Sequence, residues 1–300
     1  MIEGILVEGL IFGILALGVF ITFRILDFPD LTVDGSFPLG AVTAGSCLQA
    51  GMHPLLALIL AFVAGAAAGT VTAVIHNKLK VPNLLAGILT MTMLYSVNIR
   101  VLGNRANLPL LKLRTIIDDV MVLSEPLMSY TIALLLFFLI VFFMIKFLLD
   151  IFFMTDMGLS MGAMGNNEQM IITLGVNPDT MKIIGLSLSN GLVGLSGALF
   201  AQYQGFADVN LGQGIVVSGL AMVMLGEFLI RSNKIYFLTF RVLLGAILFK
   251  AIMFYGRYYG YYIHLTPNDL KLITGLLIIL SLTISKMKNR DLLKPFRGKK

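Results

Sequence analysis

Long apolar runs separated by short polar stretches set the pattern of this chain from end to end. Runs of about 17–25 apolar residues are long enough to cross a bilayer as helices. Helices and closed barrels are stable in lipid because they satisfy their own backbone groups. The pattern predicts nine spans: Gly4–Phe23, Phe37–Gly51, Pro54–His76, Leu84–Leu102, Leu127–Leu149, Ile183–Gln204, Gly212–Ile230, Ile235–Tyr255 and Leu270–Ser285. The second is short and its limits are the least sharply marked. One polar interruption stands out, Thr155–Asp179, which reads TDMGLSMGAMGNNEQMIITLGVNPD. Turning a chain between helices takes only about 2–8 residues. The much longer stretch here reads as a short amphipathic helix bounded by glycines, a surface suited to dock something from the aqueous phase.

Composition sharpens the class. The chain is 58% hydrophobic and 13% charged, against about 25% charged in soluble domains. An all-α, polytopic integral membrane protein of about 8–10 transmembrane helices follows, a single membrane domain over residues 1–300. Gly4–Phe23 lacks a basic leader region and a small-residue cleavage site, so it is expected to remain as the first helix. The lone Cys47 lies in a span and reads as a small packing residue. The net charge of +6 is not arranged as a basic patch with interleaved aromatics, so no nucleic-acid partner is expected.

The basic residues instead orient the chain. Lys286, Lys288, Arg290, Lys294, Arg297, Lys299 and Lys300 form a tail over 286–300, which marks that end as cytoplasmic. Nine spans then put the N-terminus outside. The inner segments hold 13 Lys and Arg: Arg24, Lys78, Lys80, Lys182, Arg231, Lys234 and the seven of the tail. The outer segments hold five: Arg105, Lys112, Arg114, Arg257 and Lys271. Thr155–Asp179 falls on the cytoplasmic side. Gly103–Pro126 reads as a solvated outer loop, including its acidic pair Asp118-Asp119.

Polar residues inside or beside the spans supply the candidate pathway. Asp27–Gly40 reads DFPDLTVDGSFPLG, three acids among helix breakers between two apolar runs. Two readings stay open: an ordinary inner loop, or a membrane element that breaks and lines a water-filled path. Thr32, Asp34 and Ser36 alternate, so an extended segment would present them to one side. Tyr95 and Asn98 gather near the outer end of the fourth span, before Arg100. Asn190 sits mid-span in the sixth and needs an interhelical partner. Gln202, Tyr203, Gln204 and Asp208 collect at that helix's outer end. Glu227 stands four residues from Arg231, a spacing for a local ion pair.

Gly65-Ala66-Ala67-Ala68-Gly69, and Gly191, Gly194 and Gly197, form small-residue faces for close helix packing. Charges inside the spans read as scarce, which disfavours a self-contained carrier or channel with its own ion relay. No metal-binding HExxH, GxSxG or GxxxxGK[ST] motif is present. Energised transport therefore needs a separate ATPase. The alternative is a secondary carrier or channel for a small polar metabolite, with an intramembrane enzyme third.

Several segments together resemble a known family: DLTVDGSFPLGA from Asp30, LLAGILTMTMLYSVNIRVLGNRANLPLL from Leu84, the Thr155–Asp179 loop, GLVGLSGALFAQYQGFADVNLGQGIVVSGLAMVMLGE from Gly191, and LTPNDLKLITG from Leu265. The chain resembles permease subunits of bacterial ABC importers in the branch of branched-chain amino-acid and ribose permeases. Within it, the chain is most similar to lipoprotein-dependent tryptophan/tyrosine transporters. The resemblance implies import of a small solute across a bacterial plasma membrane, with aromatic amino acids first and branched-chain amino acids, nucleosides or another small polar metabolite still open. It implies a homodimer or heterodimer of permeases, with a second permease copy expected, an ABC ATPase and an external substrate-binding lipoprotein, besides membrane lipid. No cofactor is expected in this chain, ATP and magnesium belonging to the ATPase. The resemblance also assigns a coupling helix to residues 155–181, with Gly158, Gly162, Gly165, Asn166, Asn167, Glu168 and Gly175 as its candidates. Gly165, Asn167 and Glu168 keep the family pattern. Gly162 stands where the family usually has Arg and Met164 where it has Thr, so the Arg-dependent part of docking differs here.

Overall fold

The computed structural model describes residues 2–124, 129–230 and 234–260, with isolated positions 272, 275, 276 and 279. Helix α1 (Ile2–Phe20) runs on into a π-helical turn, Ile21–Ile25. Its apolar residues have no preferred side, and the structure shows why: 83% of this span is buried inside the bundle. A helix that is apolar all round belongs at the centre. Helices α2 (Val33–Gln49), α3 (Pro54–Leu79) and α4 (Asn83–Val101) follow. Then come strand β1 (Asn107–Pro109), α5 (Ile116–Ser124), α6 (Tyr130–Met154), α7 (Asp156–Asn166) and α8 (Glu168–Thr173). The described fold ends with α9 (Pro178–Gln204), β2 (Phe206–Asp208), α10 (Ile215–Leu229) and α11 (Ile235–Gly260).

Six helices among the described residues are long and apolar enough to cross a membrane. The two shorter ones, α2 with 17 residues and α10 with 15, occupy the second and seventh predicted spans. The polytopic all-α reading holds. The ninth span and the basic tail lie outside the described residues, save those isolated positions.

The bundle is held by a seam of small residues. A Cβ on Gly65 or Gly69 of α3 would run into the carbonyls of Asn190 and Leu186 on α9. A Cβ on Gly40 of α2 would strike the backbone of Gly194, and one on Gly197 the carbonyl of Phe37. The small-residue faces read from sequence thus join helices of one chain. Beside the seam, the rings of Phe12, Phe37 and Phe200 cluster in tilted and edge-to-face contacts with centroids 5.3–5.9 Å apart.

Two expectations are corrected. Gly103–Pro126 is more than a solvated loop: β1 pairs antiparallel with β2, Asn107 opposite Asp208, and α5 follows. Asp118 there accepts hydrogen bonds from the Thr115 backbone N–H (2.7 Å) and hydroxyl (2.8 Å), while Asp119 pairs with Arg114. Charges inside the spans are also not scarce. Lys146 pairs with Asp150 within α6, and Thr239 donates to Asp150 at 2.6 Å. Lys250 on α11 reaches Glu8 on α1 at 3.1 Å and lies over the Phe12 ring. Charges in apolar surroundings persist when paired and hydrogen-bonded, which their sequence positions cannot show. The Arg231 expected beside Glu227 lies outside the described residues. Glu227 is engaged by Arg24 at 2.8 Å and Arg241 at 2.7 Å.

Candidate translocation and coupling site

The chain leaves helical geometry between the π-helical turn and α2. Asp27 takes a left-handed conformation (φ 50°), Pro29 follows, and Asp30 folds back so that its carboxylate accepts the Thr32 N–H at 2.8 Å. This is an Asx-type turn, a local alternative to helix that Asp favours. Asp30 is completely buried. Asn190 donates to its other oxygen at 2.7 Å and to the Leu186 carbonyl at 3.0 Å, and accepts from Ser36 at 2.7 Å. Thr32 meets Thr72 of α3 at 2.7 Å. Asn190 is at the midpoint of the 27-residue α9, so the break lies deep in the bundle. Within Asp27–Gly40 the chain is non-helical only up to Thr32, and Asp30 there is buried rather than solvated as an ordinary loop acid would be.

The alternating reading of Thr32, Asp34 and Ser36 is corrected. The helix begins at Val33, so the three side chains fan out in different directions. Thr32 turns to α3 and Ser36 to α9, both inside the closed polar network with Asn190. Asp34 alone turns the other way. Its carboxylate accepts the N–H groups of Gly214 (3.0 Å) and Val216 (2.8 Å), capping α10, where unpaired donors and the helix dipole favour an anion. Pro38 inside α2 leaves the Asp34 carbonyl without its helical donor. The backbone of Gly212 packs against that carbonyl so closely that a Cβ there has no room.

Asp34 opens onto a cavity of about 390 Å³ between α2, α4 and the segment leading into α10. Small-molecule sites occupy about 300–1,000 Å³. Tyr95 and Asn98 line it with Asp34, as do Thr92, Ser96, Asn210 and Gln213. Asn98 is buried and donates to the Gly35 carbonyl at 3.3 Å, while its Oδ1 has no partner. A buried amide oxygen without a donor is an acceptor waiting for one. Asp34, Tyr95 and Asn98 are therefore brought together at the cavity. Thr32, Ser36 and Asn190 stand behind it. Asn210 and Gln213 are the cavity residues that the sequence reading passed over, and Asp30, read there as one of three acids, was not named as a partner of Asn190.

At the other end of the break lie α7 and α8. The loop folds as two helices, and Gly158, Gly162 and Gly165 sit within α7 rather than bounding it; Gly175 (φ 80°) closes α8. The Thr155 hydroxyl caps α7 through Gly158 N–H, and Asn167 caps α8 through Met170 N–H at 3.2 Å. Glu168 pairs with Lys182 of α9 at 2.9 Å. Gly158, Met161 and Met164 form the buried face of α7, and Ile171 that of α8. Gly165 rests against the carbonyl of Ile25, at the last residue of the π-helical turn, with no room for a side chain. Met164 therefore faces the bundle, and its departure from the family pattern is an inward one. Outward lie Asn166, Met170, Ile172 and Leu174, the three apolar ones 47–65% exposed.

The comparisons fit this geometry. The family model described as "Branched-chain amino acid transport system / permease component" matches residues 1–282. The chain is 38% identical over 93% of its length to a tyrosine transport system permease protein of Clostridioides difficile, covering 89% of that protein. It is 33% identical over 95% of its length to an uncharacterized protein of Rickettsia prowazekii, covering 97% of it. An autoinducer 2 import system permease of Yersinia enterocolitica is 26% identical over 66% of this chain and 52% of its own. No solved structure matches. The chain belongs to the branched-chain amino-acid transport permease family, and is a multi-pass permease component of an ABC transport system.

Proposed function

We propose that this permease imports an aromatic amino acid, tyrosine first, across a bacterial plasma membrane, as one of two identical copies driven by ABC ATPases. An external substrate-binding lipoprotein delivers the solute, and the C-terminus and α7–α8 face the cytoplasm. The observation that carries the reading is a continuous steric path. Gly165 of α7 seats on Ile25, the break follows at once, and it ends where α2 begins at Val33, next to Asp34 at the cavity. ATP binding in the partners draws the coupling helices together. The seat at Ile25 passes that displacement to the break and shifts the α10 N-terminus held by Asp34. A ligand shifts such an equilibrium only through differential binding to its two states, which ATP provides at the ATPase.

The chemistry around the cavity supports the solute class. The Asp34 charge and the unpartnered Asn98 oxygen suit an ammonium group, and the Tyr95 ring, half-exposed, offers an aromatic surface. The tyrosine system named for the relative points the same way. Thr92, Tyr95 and Ser96 leave a polar stripe on the open face of α4. Hydroxyls in the membrane face protein or a water-filled path rather than lipid, so a second copy is assigned to cover them. The exposed Met170, Ile172 and Leu174 form the surface assigned to the ATPase.

The test is uptake of labelled tyrosine into proteoliposomes holding permease, ATPase and loaded lipoprotein, with leucine and uridine as competitors. ATP-dependent uptake, lowered about tenfold by Asp34→Asn, is expected. ATP-independent uptake, or competition by leucine equal to that by unlabelled tyrosine, would overturn it.

A further inference from the structure

A second cavity, of about 440 Å³, opens between α7, the π-helical turn and the first turns of α11. Arg24, Arg241, Gly162, Asn166, Leu159 and Thr239 are among its lining residues. Both guanidinium groups share one carboxylate, Glu227, which leaves a surplus positive charge at the cavity. The Arg241 side chain is 8% exposed, and its Nε–H has no hydrogen-bond partner. The Arg24 side chain is 62% exposed and meets Glu227 through its Nε alone. Buried cationic groups need a counter-charge and filled donors, and the planar guanidinium fits phosphate oxygens in particular. Leu159, Phe153, Ile235 and Leu238 give the cavity apolar walls, and Met154, Tyr236 and Phe237, next to them in the chain, are 40–60% exposed. Apolar walls beside a basic pocket at one end of a helix bundle are the chemistry of a lipid with an anionic head group.

We propose that this cavity binds the phosphate of an anionic phospholipid, whose acyl chains lie along α6 and α11, and that the bound lipid props α7 against α11. The site takes from the proposed function only the role of α7. Binding is tested on the permease alone, so its outcome is separate from that of the transport experiment.

Gly162 gives the clean variant. Gly162 lines the cavity and a Cβ there meets nothing within 4 Å, so a side chain can be added at this position without a backbone clash. Full-length permease is titrated with phosphatidylglycerol, phosphatidylcholine of equal chain length, or inorganic phosphate, and bound species are counted by native mass spectrometry. One phosphatidylglycerol is expected to be retained in preference to phosphatidylcholine. Gly162→Leu and Arg241→Gln should each weaken it about tenfold, with inorganic phosphate failing to displace it. Equal retention of the two lipids, or unchanged binding in Gly162→Leu, would overturn the site. Inorganic phosphate bound with no lipid retained would overturn the lipid as its source.

Discussion

The seam of α2, α3 and α9 and the junction of α7 with the break are built on opposite lines. In the seam, backbones touch through Gly40, Gly65, Gly69, Gly194 and Gly197, and Asn190 fills its hydrogen bonds with Asp30, Ser36 and Leu186. At the junction, α7 meets the chain through Gly165 and the buried Met161 and Met164, a cavity lies alongside, and apolar side chains of α8 face outward. Close-packed interiors are not continuously deformable, whereas weakly packed segments are those that move in switching proteins. On the proposed function, the seam holds the bundle and the junction is where it changes.

Breaking the seam should have the largest effect. Gly40→Val sets a side chain against the backbone of Gly194 and should destabilise by about 3 kcal/mol or more. Loss of the monodisperse peak in detergent size-exclusion chromatography would register it. Asn190→Ala leaves Asp30 and Ser36 with unfilled groups in the apolar core, for about 2 kcal/mol. Its melting temperature, followed by circular dichroism, should fall well below that of the parent; an equal value would mean that the network carries no stability. On the junction side, Glu168→Gln removes a half-exposed ion pair with Lys182. Such a pair contributes about 0–1 kcal/mol, so stability and ATPase binding should barely change. A large loss of either would show that Glu168 acts beyond that pair.

These contrasts were unevenly visible in the sequence. Six of the first eight spans were legible because each is a long and mainly apolar run, whereas the second and seventh correspond to shorter helices whose limits the pattern marks less sharply. Asn190's need for a partner was legible too, since a mid-span amide has no local one. The division of Thr32, Asp34 and Ser36 was not. It depends on the helix starting at Val33, and a one-residue change between extended and helical geometry re-aims every side chain. Nor was the pairing of Glu227 with Arg24 and Arg241, because both arginines are distant in the chain and are brought in by packing. Gly165 was singled out by resemblance, but its reason, the Ile25 carbonyl, is visible only in three dimensions.

The central claim is that α7 drives the cavity through the seat of Gly165 on Ile25. Its most direct test is Gly165→Val in the complete transporter, measuring ATP hydrolysis and tyrosine uptake in the same proteoliposomes. The side chain pushes α7 off its seat while the seam stays intact. Uptake should fall at least about tenfold with ATP hydrolysis persisting. Uptake and hydrolysis both equal to those of the parent would contradict the account.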